Sequence, residues 1–401
     1  MTKRLYYHDP YMDECDAVVT DCIAIDGGYE VSVDQTVIFP EGGGQPSDTG
    51  FIDKFRVISA RDAGGDIWLY TDGEFKAGQH ITMRLNLERR FDHSQQHTGE
   101  HIVSGIAKKL FDVANIGFHM AEDYVTIDFD SLLTDEQLLQ LEEEANRAVY
   151  RNIRVISSVV TCDELDAIPL RKRAEGLQGD IRLVSIAGID SCTCCGTHTL
   201  NTGEVGIIKI TDQVKYKSGI RIWLKCGKRA LQDYRDKQHV INGLARAYST
   251  KWQNVNEAVL KQMDELSASK HVIKRLAYQH AVYRADELLN GAETAGGITL
   301  AVSYEGEVIK DDLGMLAEQL CRHDKTIAVL FGLMNGMIHY RLMRSAGVEM
   351  SMRALCQTVN VLFSGKGGGR PESAQGSSSH TQAFEQSVEQ LKAYMKSILK
   401  K

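Results

Sequence analysis

The chain has no apolar run long enough to span a bilayer, and its first residues, MTKRLYYHDPYMDECD, carry no hydrophobic stretch of secretory-signal length. A helical membrane protein is thereby excluded, and a cytoplasmic location with no membrane partner is the expectation. Basic excess is also lacking: 46 lysines and arginines stand against 54 acids, a net charge of −8, which argues against a general nucleic-acid binder. Nor is there a disulfide framework. Of nine cysteines, Cys192, Cys194 and Cys195 crowd together and the others are scattered, which suits thiols or metal ligands in a reducing compartment.

What remains is a globular composition, 43% hydrophobic and 25% charged over 401 residues, enough for two or three domains. Local charge departs from the total. Lys209, Lys215, Lys217, Arg221, Lys225, Lys228 and Arg229 share their stretch with one acid, Asp212, and Arg171, Lys172 and Arg173 form a smaller cluster. Taken alone, both read as solvated basic faces.

The hydrophobic patterning predicts an α+β chain in four parts. Residues 1–90 alternate short β-branched strands with glycine turns at Gly27-Gly28 and Asp72-Gly73 and around Gly42, as in a small β-barrel. Residues 91–227 mix helix and strand. DHSQQHTGEHIVSGIAKKLF has helical periodicity, with Ile102, Ile106 and Leu110 on one stripe and Asp92 or Ser94 to cap it. YVTIDFD is a strand, and a second helix opens near Thr134. Residues 228–290 read as a helical connector in which Val255, Val259, Met263 and Leu266, then Ile273, Leu276 and Ala277, recur at spacings of three and four. Such a seam would pack within the molecule or join two copies as a homodimer. Thr294–Gly297 reads as a linker into an α/β domain, 291–401, that ends in the glycine-rich GKGGGRPESAQG and a helix from about His380 to Leu399.

Two pairs of residues carry chemistry. His97 and His101, one helical turn apart, can reach one ion, and His93 lies one further turn back, so that the register of the pair is open. HTGEH lacks the glutamate placement of an HExxH metallopeptidase. Cys194 and His198, in CTCCGTHTLNTGEVG, offer thiolate and imidazole from a turn, as a tetrahedral zinc site does. A competing arrangement uses Cys192 and Cys195 in CxxC spacing as a structural site.

His97-x-x-x-His101, followed downstream by Cys194-Cys195-Gly196-Thr197-His198, resembles the editing domain of alanyl-tRNA synthetases and the freestanding AlaX proteins. GGGQPSDTG (Gly42–Gly50) resembles the glycine-rich motif of that family, and FHMAEDYVTIDFD the strand lining its pocket. FSGKGGGRPESAQG resembles the GGGR motif of the DHHA1 domain that closes alanyl-tRNA synthetases. Nothing resembles the aminoacylation domain, and the metal motifs of the related phosphoesterase domain are missing. The layout is that of the long AlaX class.

The resemblance implies hydrolysis of the ester joining serine, and also glycine, to alanine tRNA. It implies one Zn2+ per chain on His97, His101, Cys194 and His198. Gly42, Gly43, Gly44, Gln45 and Asp48 would contact the aminoacyl end, and Thr49, Asn115 and His119 would serve catalysis, the Thr49 hydroxyl bonding that of serine. Gly42–Gly44 alone also read as a tight hairpin turn. Gly367, Gly368, Gly369 and Arg370 would contact the tRNA body, since bare amides beside a guanidinium suit phosphate. Two rivals stay open: editing of another mischarged tRNA such as threonyl, and a non-catalytic zinc-stabilised tRNA-binding protein.

Overall fold

Alternation decides the N-terminal strands. Strand Asp66–Thr71 buries Ile67, Leu69 and Thr71 and leaves Trp68 and Tyr70 half-buried; His80–Leu85 buries Ile81, Met83 and Leu85 in the same rhythm. One face of each strand is apolar and needs cover. In the computed structural model, which describes residues 1–173, 179, 181–379 and 384–400, six strands cover one another by closing into a ring. Its order is Glu14–Ile25, Gly28–Val33, Asp66–Thr71, Phe55–Ala63, Gly50–Ile52, His80–Leu85, and every neighbouring pair is antiparallel. Val31, Ile52, Ile67, Leu69 and Met83 fill its interior.

The helix that follows starts earlier than its apolar periodicity predicts. It runs Leu87–Phe111, capped by Asn86, whose side chain accepts from Arg89 N at 3.2 Å. Asp92 pairs with Arg229 instead, and Ser94 is buried. Every residue from His93 to Ala107 is buried, whereas Leu110, grouped by periodicity with Ile102 and Ile106, is 40% exposed. A helix so polar and yet so buried must satisfy its side chains by hydrogen bonds, and those bonds build the site described below. The helix packs with Asp135–Tyr150 on a four-stranded sheet ordered Ile208–Tyr216, Gly219–Cys226, Val125–Phe129, Asn115–Met120, around Val103, Ile127, Leu141, Ile222 and Leu224. A three-stranded sheet, Val155–Val160, Ile181–Ile186, Asp190–Thr193, leads into the cysteine-rich turn.

Contacts divide the chain into two units, Met1–Gly243 and Leu244–Lys401. The expected connector is two helices, Gly227–Ala247 and Val255–Asn290, broken where Ser249 takes a left-handed φ of 50°. In the second unit a six-stranded sheet is ordered Glu293–Ala295, Ile298–Glu307, Thr326–Met334, Met337–Arg344, Ser373–Ser378, Lys366–Gly369. Its one parallel pair, Ile298–Glu307 with Thr326–Met334, is bridged by helix Asp312–Leu320. The run TIAVLFG is buried on both faces, as a strand covered on two sides should be. The expected linker Thr294–Gly297 is instead an edge strand plus a turn, in which Gly296 and Gly297 take left-handed φ of 58° and 77°. The final helix runs Phe384–Leu399; its expected start at His380 lies outside the described residues. No helix among the described residues is long and apolar enough to cross a membrane.

Most of the basic stretch is paired with acids. Arg221 pairs with Asp128 at 2.6 Å, Arg229 with Asp92 at 2.7 Å, Lys209 with Glu142 at 2.7 Å and Lys225 with Asp233 at 2.9 Å. The acids come from other elements, so a count along the sequence could not reveal the neutralisation. Arg171 likewise lies inside, its side chain 8% exposed.

Candidate metal centre

Four side chains from two distant stretches meet at one point. His97 and His101 project from one face of helix Leu87–Phe111, and Cys194 and His198 come from the turn after strand Asp190–Thr193. Their ligand atoms all lie within 4.8 Å of one another. Cys194 Sγ stands 3.4 Å from His97 Nε2 and 3.4 Å from His198 Nε2. His93, one turn back, is buried outside the cluster, and burial, followed by the nearby Arg89 and Arg229 guanidiniums, pushes its pKa down to about 3.

Each clustered imidazole has a neighbour for its other nitrogen. His97 Nδ1 donates to Gln45 Oε1 at 2.7 Å, His101 Nδ1 to Asp190 Oδ2 at 2.9 Å, and His198 Nδ1 lies 3.4 Å from Thr98 Oγ1. For His97 and His101 the acceptor-only partner puts the proton on Nδ1 and turns Nε2 inward, which is how outer groups orient metal-binding histidines. Gln45 does more: its Oε1 accepts from Thr197 N at 3.1 Å and its Nε2 donates to Thr197 Oγ1 at 2.9 Å, tying the helix, the turn and the glycine segment together. Asp190 in turn accepts from Arg171 Nε at 2.7 Å and Nη2 at 3.0 Å. Close approach of the turn requires Gly196, where a Cβ would sit 2.1 Å from His97 Cε1.

The shifted groups of the cluster are pushed in different directions. Burial would raise the Cys194 thiol, but the His97 and His198 rings outweigh it and hold its pKa well below the usual value. Burial opposes a charge on His101, yet Cys192 and Asp190 outweigh it and hold its pKa well above the usual value. Burial drives His198 well below, helped by His101 and His97. The second thiol arrangement does not assemble: Cys192 is buried beside His101 and Asp190 while Cys195 is exposed, and no cluster among the described residues joins the two. His101, Asp190 and Cys192 do form a three-donor set, but it shares His101 with the first.

The cluster opens onto a cleft of about 470 Å³. Asn115 lines it, buried, donating from Nδ2 to Glu100 Oε1 at 2.6 Å and Ser104 Oγ at 3.0 Å. Gly43 lines it too. Gly42 and Gly44 belong to the same turn, closed by Gly42 N to Gln45 O and Gln45 N to Gly42 O, both 3.0 Å, and Gly44 lies tight against Phe118. Gln45 is wholly buried behind the histidines and so holds ligands. Asp48 is not brought to the cleft. Its carboxylate is wholly buried against Arg90, accepting from Nε at 3.0 Å and from Phe39 N at 2.8 Å. Thr49 is half-buried beside it, its carbonyl accepting from Asn86 N, and does not line the cleft. His119 is exposed and points from the strand away from the lining; the strand's alternation gives its place to Phe118, stacked on His97 at 5.0 Å.

Several lining residues carried no sequence signal. Glu100 immediately precedes His101 on the helix. Arg4, Tyr7 and Arg182 gather at the mouth, Arg182 lying 4.5 Å over the Tyr7 ring and donating to the carbonyls of Cys194 and Gly196. Arg182 lies far along the sequence from Arg4 and Tyr7, and only the fold brings them together. In the second unit, Gly367, Gly368, Gly369 and Arg370 are exposed, the glycines on the outermost strand of the sheet. The glycines form an edge strand, Lys366–Gly369, paired with Ser373–Ser378.

Residues 181–222 match the family model described as "Threonyl and Alanyl tRNA synthetase second additional domain", and residues 297–398 match the DHHA1 domain. The chain is 28% identical to the "Alanyl-tRNA editing protein AlaX-L" of Pyrococcus horikoshii, over 98% of this chain and 100% of that one. It is 27% identical to the "Alanyl-tRNA editing protein Aarsd1" of Mus musculus, over 87% of this chain and 84% of that one. Against the "Alanine--tRNA ligase" of Methanothrix thermoacetophila it is 29% identical over 94% of its own length but spans only 42% of the ligase.

Proposed function

We propose that the chain is one of the freestanding alanyl-tRNA editing proteins that carry a DHHA1 domain, acting as a zinc-dependent trans-editing hydrolase; its likeness to such a protein over its full length and its match to both domain models support this. It removes a wrong amino acid, chiefly serine and also glycine, from alanine tRNA by cleaving the ester to the terminal ribose. The observation that carries the reading is the convergence of His97, His101, Cys194 and His198 with His97 and His101 oriented from behind. One thiolate and three imidazoles fit zinc. When bound, zinc supplies a positive charge that holds the aminoacyl end and stabilises oxyanion character at the ester carbonyl.

The remaining work falls to the chain's own residues. The attacking water is assigned to the cleft wall beside the cluster, where Glu100 and Asn115 line the cleft and are held by bonds to each other and to Ser104. Water oxygen adds to the ester carbonyl carbon, the bond from that carbon to the ribose oxygen breaks, and the water proton leaves with the ribose hydroxyl. Gly43 presents no side chain to the carbonyl. Tyr7 and the Arg4 and Arg182 guanidiniums at the mouth suit a nucleotide base and phosphate. The N-terminal ring of strands acts as a small barrel presenting the Gly42–Gln45 turn, and Gly367–Arg370 contact the tRNA body. The protein works in the cytoplasm.

Purified protein is expected to release serine from Ser-tRNA(Ala) and leave Ala-tRNA(Ala) intact. Serine release no faster than in buffer would overturn the reading.

A further inference from the structure

The cleft beside the metal cluster is lined by four bases, Arg4, Arg171, Lys172 and Arg182, and among its described lining residues by one acid, Glu100. Arg4 and Arg182 at the mouth suit the nucleotide end of a substrate. The acid is 4% exposed. A carboxylate so buried is costly unless something answers its charge.

Part of the answer is structural. Glu100 Oε1 accepts from Ser104 Oγ at 2.5 Å and from Asn115 Nδ2 at 2.6 Å, and stands 3.8 Å from Arg171 Nη2. That guanidinium is committed to Asp190, donating from Nε at 2.7 Å and from Nη2 at 3.0 Å. With His101 Nε2 given to a metal, two carboxylates share one guanidinium, and one negative charge is left over on the wall. Glu100 Oε2 accepts no hydrogen bond among the described residues and stands 3.8 Å from His101 Nε2. It is not fully buried, and so opens on the cleft that Glu100 lines. Nor does Glu100 belong to the set of mutually close metal donors. One oxygen is thus fixed from behind and the other is presented to whatever enters. Holding Ser104 and Asn115 takes one acceptor oxygen and no charge, so a glutamine would serve that purpose as well.

The aminoacyl end of a charged tRNA carries one cation, the α-ammonium. It is bonded to the same carbon as the ester carbonyl. An ammonium on Glu100 Oε2 brings the ester carbon to the wall where the attacking water is assigned, and the ribose leads back toward Arg4, Tyr7 and Arg182. We propose that Glu100 is a specificity-determining residue that binds the α-ammonium. The site then takes aminoacyl esters with a free amine and refuses N-acylated ones, a proposal that rests on the hydrolase reading.

Two uncleavable probes test it: adenosine carrying serine as a 3′-amide, and its counterpart with a hydroxyl in place of the ammonium, similar in shape but uncharged. Calorimetry on the zinc-loaded full chain should find the serine probe bound roughly 10-fold or more tighter. Glu100→Gln keeps an oxygen for Ser104 and Asn115. It should weaken the serine probe about 10–100-fold and leave the hydroxyl probe within about threefold, with zinc content checking that the site is intact. The comparison on the unaltered protein stands even if the variant loses zinc. Equal binding of both probes by protein that cleaves Ser-tRNA(Ala) would overturn the proposal and leave the hydrolase reading standing. Equal weakening of both probes in zinc-loaded Glu100→Gln would overturn it too, by making Glu100 a structural support. No cleavage of Ser-tRNA(Ala) would remove the hydrolase reading and the proposal with it.

Discussion

Replacing Asp190 with asparagine tests whether His101 is held in readiness for a metal. The Asp190 side chain is 0% exposed, accepting from His101 Nδ1 at 2.9 Å and Arg171 Nε at 2.7 Å. Asparagine keeps the shape, removes the charge and turns one acceptor into a donor, so one of those two partners loses its bond. Two consequences can be separated. Breaking a buried ion pair from one side costs about 3–5 kcal/mol; Glu100, 3.8 Å from Arg171, keeps part of the compensation, so the loss should fall at the lower end. Removing an outer partner of a metal-bound histidine weakens metal binding about 10–100-fold. Calorimetry of the metal-free protein measures the first, and competition with a chromophoric chelator measures the second. Arg171→Met/Asp190→Asn then removes the stranded guanidinium and should recover stability without recovering zinc affinity. Zinc affinity unchanged within about threefold in a folded Asp190→Asn protein would refute the orientation argument, as would affinity returning together with stability in the double variant.

Two further substitutions probe the frame around the site. Gly196→Ala would drive its Cβ into His97, 2.1 Å from Cε1, so bound zinc per chain, measured by elemental analysis, should fall well below one while the C-terminal unit stays folded; full zinc content would show that the turn can yield. Asp48→Ala strands a wholly buried Arg90 and should destabilise the protein by about 3–5 kcal/mol, read as a lower denaturation midpoint, with zinc stoichiometry unchanged. Loss of zinc in the folded variant would mean that Asp48 belongs to the site after all.

Spacing marked both pairs as candidate donors but left His93 and the Cys192/Cys195 arrangement open; the resemblance singled out the four residues that cluster. Two histidines one turn apart and a Cys-x-x-x-His turn imply convergence wherever helix and turn meet. The apolar rhythm of Ile67-Leu69 and Ile81-Met83 likewise exposed the strands. Other features were hidden for physical reasons. Asp48 and Gln45 sit in the same glycine-rich motif, yet one neutralises Arg90 and the other holds His97; only three-dimensional neighbours separate those roles. The Lys209–Arg229 stretch looked positive because its counter-charges, Asp92, Asp128 and Glu142, lie elsewhere in sequence. His119 and Phe118 differ by one position on a strand, and the pleat decides which faces the cleft. The Gly296-Gly297 pair read as linker because a two-residue turn and a flexible joint use the same residues.

The most direct test of the central claim is a single deacylation series on Ser-tRNA(Ala) with intact protein, chelator-stripped protein and stripped protein given zinc back, beside Cys194→Ala. Serine release should be present, lost, restored and absent in that order, with Ala-tRNA(Ala) spared throughout. Full serine release from protein shown by elemental analysis to hold no metal would contradict the account.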